Sequence, residues 1–255
     1  MRLESIDGLA ILSFDRPPRN LFDRQAFDDF RAAIEAIAGD PPRGLLIRAE
    51  GPVVSGGVDV HVFDGLEPEE AAALGVEMLA TIGLLESLPA PTVFAAHALT
   101  LTAAFEIALA CDLIVATPQA QFGLVEKVVG LTPLMGGTQR LAERVGSGRA
   151  RELVMTGALY GAAEMASWGV VNRIYPADEF AASSRAFAAG LAAGPTLAHG
   201  MTKHVLRRLR EGGTAAADEA IRDDAATLFE SDDLKRAVRS FLESGGRDPV
   251  TFRGR

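Results

Sequence analysis

The sequence predicts an α/β fold of stacked strand–strand–helix units, closed by a C-terminal helical extension. Three observations carry this expectation. Short apolar runs of strand length alternate with segments of helical period through the first half of the chain. The uncharged stretch 87–105 is broken by Pro89, Pro91 and His97 and holds several Thr, which suits a buried strand and a buried helix better than a membrane span. From Gly136 onward helical patterns dominate.

The elements follow in order. Residues 3–14 alternate around Asp7-Gly8, a two-residue hairpin signal, and Asp15-Arg-Pro-Pro-Arg19 breaks the pattern. Phe27, Phe30, Ile34 and Ile37 recur at spacings of three and four, giving an amphipathic helix over 23–38 that Gly39-Asp-Pro-Pro42 stops. A buried strand is expected over 44–49, a Gly-containing loop over 51–57, and an acidic-faced helix over 68–87. Next come a strand over 91–96, a turn over 99–103 and a helix over 103–110, then short strands over 112–116 and 120–122. Helices are expected over 136–145, 148–156 and 162–169, a last strand over 170–175, and long helices to about Ser244. Pro195 divides a core of residues 1–195 from a C-terminal helical region, 196–255.

Composition narrows the function. The chain has 255 residues, 48% hydrophobic and 23% charged, with a formal net charge of −9, which excludes disordered and disulfide-scaffold classes. Residues 51–126 contain ten Asp and Glu but no Lys or Arg. Such a stretch cannot grip a phosphate backbone, so no nucleic-acid partner is expected; the basic string His204-Val-Leu-Arg-Arg-Leu-Arg210 is read as a solvated or subunit-facing helix face. The N-terminal residues show no apolar leader, and a cytoplasmic protein without a membrane partner is expected. The one cysteine, Cys111, lies in an apolar run and reads as a buried small hydrophobe.

Dinucleotide, P-loop and HExxH motifs are missing, as is any Cys/His cluster for a metal. Ser55 lacks the preceding Gly of a nucleophile elbow and reads as a turn residue. Trp168 reads as packing, and of the four His only His61 and His97 are kept as candidates for a site. Glu106 stands out, because it interrupts Ala103-Ala-Phe-Glu-Ile-Ala-Leu109. Burying an ionised carboxylate there is costly unless it is paired or used. A solvated edge, a salt bridge and a catalytic role are all compatible with that position.

Several strings, in their order and spacing, resemble the enoyl-CoA hydratase/isomerase (crotonase) family. They are Val54-Ser-Gly-Gly-Val-Asp-Val60, Ala110-Cys-Asp112, Gln121-Phe-Gly-Leu-Val-Glu126, Gly136-Gly-Thr-Gln-Arg-Leu141, Thr156-Gly-Ala, Gly169-Val-Val-Asn172 and Phe252-Arg-Gly. The resemblance runs from Asp15-Arg-Pro to the C-terminus. It implies a crotonase-like spiral of β-β-α units and an acyl-CoA enzyme, with CoA entering only as part of the substrate and no separate cofactor. It also implies a homotrimer or a dimer of trimers, assembled through the C-terminal helices.

The family's machinery maps onto numbered positions. Two backbone N–H groups, at Val58 and Ala103, would polarise the thioester carbonyl. The second of these opens a helix and lacks an internal partner. Each donor is worth roughly 3–4 kcal/mol in such catalysis. The hydratases' two glutamates fall on Glu106 and Glu126, twenty residues apart. One would hold the water as base and the other supply a proton, which favours syn-hydration of a 2-enoyl-CoA to a 3-hydroxyacyl-CoA. Gly56, Asp59, Met135 and Gly136 map near the substrate, with Met135 read either as core or as pocket wall. His61 stands where the family often has Lys, and Arg19 is a candidate for a CoA phosphate, as are Arg247, Arg253 and Arg255. With only 3 Lys against 22 Arg, Arg is the expected phosphate donor.

Departures keep other readings open. Thr102-Ala103-Ala104 replaces a run of glycines, His97-Ala98 replaces Asn-Gly, Val125 replaces a Pro, and Val58 is branched where a small residue is usual. An enoyl-CoA isomerase using Glu126 alone is the nearest alternative. Hydrolysis, decarboxylation or ring formation, and a non-catalytic acyl-CoA binder, are the others.

Overall fold

The computed structural model describes residues 1–254, so Arg255 lies outside the described residues. β1 (Arg2–Ile6) and β2 (Leu9–Phe14) form the expected hairpin, with Asp7 and Gly8 both at positive φ (52° and 81°), as its two-residue turn requires. α1 (Arg24–Gly39) is capped by Asp23, which accepts the Ala26 N–H at 2.7 Å, and it buries Phe27, Phe30, Ile34 and Ile37. β3 (Gly44–Ala49) and α2 (Pro68–Ser87) match their expected bounds. β4 (Thr92–Ala96) and α3 (Ala103–Ala110) are buried throughout, the strand and helix anticipated for the uncharged stretch.

The chain winds through two layers. A six-stranded sheet runs β1-β2-β3-β4-β6-β9, where β6 is Leu113–Ala116 and β9 is Arg173–Ile174; only β1 pairs antiparallel. A smaller sheet joins β5 (Thr100–Leu101), β7 (Gln121–Gly123) and β8 (Tyr160–Gly161), and single bridges link Ser55 to Thr100 and Phe22 to Val58. Successive units therefore leave one strand in the large sheet, one short segment in the second layer, then a helix. They are β2, Phe22 and α1; β3, Ser55 to Val58 and α2; β4, β5 and α3; β6, β7 and α4 (Gly137–Val145). One face of the large sheet packs on α1, α2 and α3, with the Phe14 and Phe22 rings edge-on at 5.3 Å. The other face, including Leu9, Ile11 and Leu46, is covered by Phe180 and Ala188 of α7 (Phe180–Ala192). Burial on both faces is why β2 reads as a continuous apolar run.

Three expectations change. The 99–103 segment is not only a turn, because it contains β5. The strand expected over 170–175 shrinks to the two residues of β9, after α5 (Ser147–Thr156) and α6 (Ala162–Ser167), and β8 was not anticipated. α8 (Thr196–Asp224) starts just past Pro195 but breaks at Gly212 and Gly213, whose φ values are −143° and 71°. Lys203 Nζ lies 2.9 Å from Asp112 Oδ2, and Arg210 Nη1 lies 3.0 Å from Glu86 Oε1. These pairs tie α8 to the rest of the fold, and Arg208 pairs with Glu211, so part of the basic string is matched by acids. α9 (Asp232–Ser244) closes the described elements. No described helix is long and apolar enough to cross a membrane.

Candidate active site

α3 starts where the second layer meets the large sheet, and all eight of its residues are buried. Its short length and total burial place the Glu106 side chain inside the protein, 3% exposed, beside the start of α4. There Glu106 Oε2 accepts two backbone N–H groups, from Met135 at 2.9 Å and Gly137 at 2.8 Å. A carboxylate at a helix N-terminus is favoured by the unpaired N–H groups and the helix dipole. Gly137 permits this approach: a Cβ there would lie 2.7 Å from Glu106 Cγ. Gly136, at φ 85°, turns the chain into α4.

A second layer of contacts holds that turn. Arg140 donates to both oxygens of Glu86, at 2.9 and 2.6 Å, and to the Gly136 carbonyl at 3.2 Å. The Glu86 carboxyl stays below its ordinary range although burial pushes it upward, because Arg140 and Arg210 both bond to it. In the sequence Arg140 is one residue of the 136–141 string. Its place one helical turn after Gly136, among glycines, is the signal that it serves the loop.

Glu106 and Glu126 line one cavity of about 220 Å³, walled mainly by apolar side chains such as Phe63, Met78, Leu134 and Met135, with Thr102 and Thr132 among them. Burial raises Glu106 to about 8; the Glu126 charge adds to this, and the two N–H donors oppose it. Burial also raises Glu126 to about 7, against the pull of its own backbone N–H. Neither Glu126 oxygen makes a hydrogen bond of normal geometry, although both are shielded from solvent. Two carboxyls whose proton affinities approach neutrality, in one apolar chamber, can give and take protons near neutral pH.

The expected donors are unequal. Ala103 is the first residue of α3, and its N–H meets no acceptor among the described residues. The Val58 N–H is already engaged: it donates to Thr102 Oγ1 at 3.0 Å. Thr102 holds φ 46° and ψ −117°, a conformation natural to glycine and costing a β-branched residue on the order of 1–3 kcal/mol. The departure Thr102-Ala-Ala thus acts mainly through Thr102, since Ala103 and Ala104 pack without exposure.

The other candidates separate. Gly56, Val58 and Met135 line the cavity; Arg19, Asp59, His61 and Gly136 do not. Arg19 is exposed, forms no ion pair among the described residues, and accepts the Gly56 N–H at its carbonyl (2.8 Å) beside the cavity rim. Asp59 Oδ1 bonds both the backbone N–H and the ring Nδ1 of His61 (3.1 and 2.6 Å), which holds the exposed imidazole above its usual pKa. His97 Nε2 bonds the Gly51 carbonyl at 2.9 Å, so this candidate braces the loop instead of facing the cavity. Arg253 uses its backbone N–H on Asp233, and Arg247 bonds the Ser244 carbonyl. Burial pushes the Cys111 thiol up to about 12, an inert state. Among the described residues no group of three or more His, Cys, Asp or Glu is placed to hold a metal ion.

A spiral α/β scaffold that presents two protonatable carboxyls to a largely apolar chamber, with Thr102 rather than Ala103 lining it at the start of α3, is suited to acid–base chemistry. The family model described as enoyl-CoA hydratase/isomerase matches residues 4–250. A crotonyl-CoA hydratase of Syntrophomonas wolfei is 30% identical over 247 residues, covering 94% of each chain. Enoyl-CoA hydratase subunit I of Geobacillus kaustophilus superposes with a TM-score of 0.92 at 29% identity, covering 100% of this chain and 98% of the other. DspI of Pseudomonas aeruginosa gives 0.89 at 26%, covering 99% and 96%. The chain belongs to the enoyl-CoA hydratase/isomerase family of enzymes, and its fold is the crotonase-type spiral that the sequence motifs implied.

Proposed function

We propose that the protein adds water to the double bond of a 2-enoyl-CoA, giving a 3-hydroxyacyl-CoA. The observation that carries this is the pair of carboxyls in one apolar cavity, one of them held by two backbone N–H groups. An isomerase needs one such acid; hydration uses two, one for each end of the added water. Glu106 takes the proton of the attacking water, since the N–H groups of Met135 and Gly137 favour its anion. Glu126 delivers a proton to the α-carbon. Burial and the Glu126 charge outweigh those N–H groups at Glu106 and set the opposite order, about 8 against about 7. A bound water relieves the desolvation, and the hydrogen bonds, which persist, then favour the Glu106 anion. The Ala103 N–H receives the charge that develops on the thioester oxygen.

The CoA enters as part of the substrate, and the proposed reaction draws on no further group. Its phosphates must find cations outside residues 51–126, and Arg19, unpaired at the rim, is the first of these. Exposed Leu206 and Leu209 on α8, with Phe241 and Leu242 on α9, support self-association through the C-terminal helices. Incubation with crotonyl-CoA, followed by loss of the conjugated thioester absorbance, tests the reading. Wild-type protein is expected to turn over, and Glu106→Gln to lose about 10²–10⁴-fold in kcat. Normal turnover by that variant would sink the two-carboxyl mechanism.

A further inference from the structure

We propose that the Thr102 hydroxyl, and not the Val58 N–H, is the second donor to the thioester oxygen. This rests on the cavity being a thioester site and concerns how that site polarises its ligand. Three observations meet at one atom. Thr102 Oγ1 accepts the Val58 N–H at 3.0 Å, which removes that N–H from direct contact with a ligand. The same oxygen carries a proton with no acceptor among the described residues, and Thr102, itself buried, lines the cavity. Space is kept for it: a Cβ on Gly57 would lie 2.7 Å from Oγ1, and Gly57 sits at φ 103°.

A hydroxyl that accepts one hydrogen bond and has a proton to give is a relay. The Val58 dipole polarises the O–H bond, so the hydroxyl donates more strongly than an isolated one. Thr102 directly precedes Ala103, so its O–H and the Ala103 N–H together form a donor pair at the mouth of α3. The strained backbone of Thr102 places a side chain where glycine would leave none. Compared with a pair of backbone donors, the oxygen is displaced from Val58 by one hydroxyl. The acyl group must therefore sit correspondingly further from the 56–58 loop.

The test uses ¹³C-carbonyl butyryl-CoA, which binds without an enoyl group to react, together with crotonyl-CoA turnover. On the wild-type protein the infrared carbonyl band of bound butyryl-CoA should move to lower frequency than in water. Thr102→Val, of matching shape without the hydroxyl, should lose much of that shift and about 10²-fold in kcat/KM. Thr102→Ser should restore both, and Thr102→Gly should polarise the carbonyl no more than wild type. The proposal is overturned if the Val variant keeps the shift, if Ser fails to restore it, or if the Gly variant exceeds wild type. The last outcome would make the hydroxyl an obstruction. A full carbonyl shift without crotonyl-CoA turnover would overturn hydration and leave the donor standing, whereas failure to bind butyryl-CoA overturns both.

Discussion

Glu106 and Glu126 face the same cavity from walls built in different ways. On one side Glu106 is fixed: two N–H groups hold one oxygen, Gly137 makes room for its stem, and Arg140 and Glu86 brace the turn from behind. On the other, Glu126 opens a four-residue 3₁₀ turn, Glu126–Val129, with no hydrogen bond of normal geometry on its carboxyl and with Val128, in the same turn, 77% exposed. A group that must aim a water benefits from a fixed position, since small misplacements are costly in rate. A group that delivers a proton along a changing path tolerates a looser mount. The difference teaches that one pair of like residues can divide a task through their supports.

That contrast can be broken at its strongest point. Gly137→Ala forces a methyl against Glu106 Cγ and is expected to cost about 10²-fold in kcat with little change in KM, measured with crotonyl-CoA. An unchanged kcat would mean that the cradle is not needed. Behind it, Arg140→Leu leaves Glu86 without its main partner in a setting only 10–17% exposed. A loss of about 3 kcal/mol is expected, read from the urea midpoint, with a smaller fall in kcat than for Gly137→Ala.

The subtlest effect is on pH. Glu106 and Glu126 bind their protons more tightly in the native state than in the unfolded chain, at about 8 and about 7 against an ordinary 4.5. Below pH 4.5 both states are protonated and the groups contribute no pH dependence. As pH rises the unfolded chain releases protons that the native state keeps, so stability falls until the native carboxyls ionise. Each group contributes a slope of at most about 1.4 kcal/mol per pH unit over its window. Urea midpoints from pH 5 to 9 should decline for wild type. Glu106→Gln should flatten the decline, and further up the scale than Glu126→Gln does. Equal profiles for the two variants would erase the proposed difference between the walls.

Much of this molecule is local and therefore legible. The bounds of β3 and α2 follow from their apolar patterns and from the Pro and Gly at or near their ends, interactions that span only a few residues. The order of the motifs fixed the family and its spiral, and it singled out Glu106 and Glu126 as the pair to follow. Other features had no local trace. β5, β8 and β9 are two residues each, too short to show a period, and they exist because neighbouring turns of the spiral supply their partners. The break in α8 hides in two glycines that a helical pattern otherwise spans.

By itself, then, the sequence determined the succession of elements, the uncharged interior and the acids placed within it. Only the tertiary structure decided what those acids and donors touch. The N–H groups on Glu106 come from residues 29 and 31 positions away, and the hydroxyl on the Val58 N–H from 44 positions away. Secondary structure forms from neighbours along the chain. A site's electrostatics depend on burial and on single hydrogen bonds a few ångströms long, which exist only once the layers have closed.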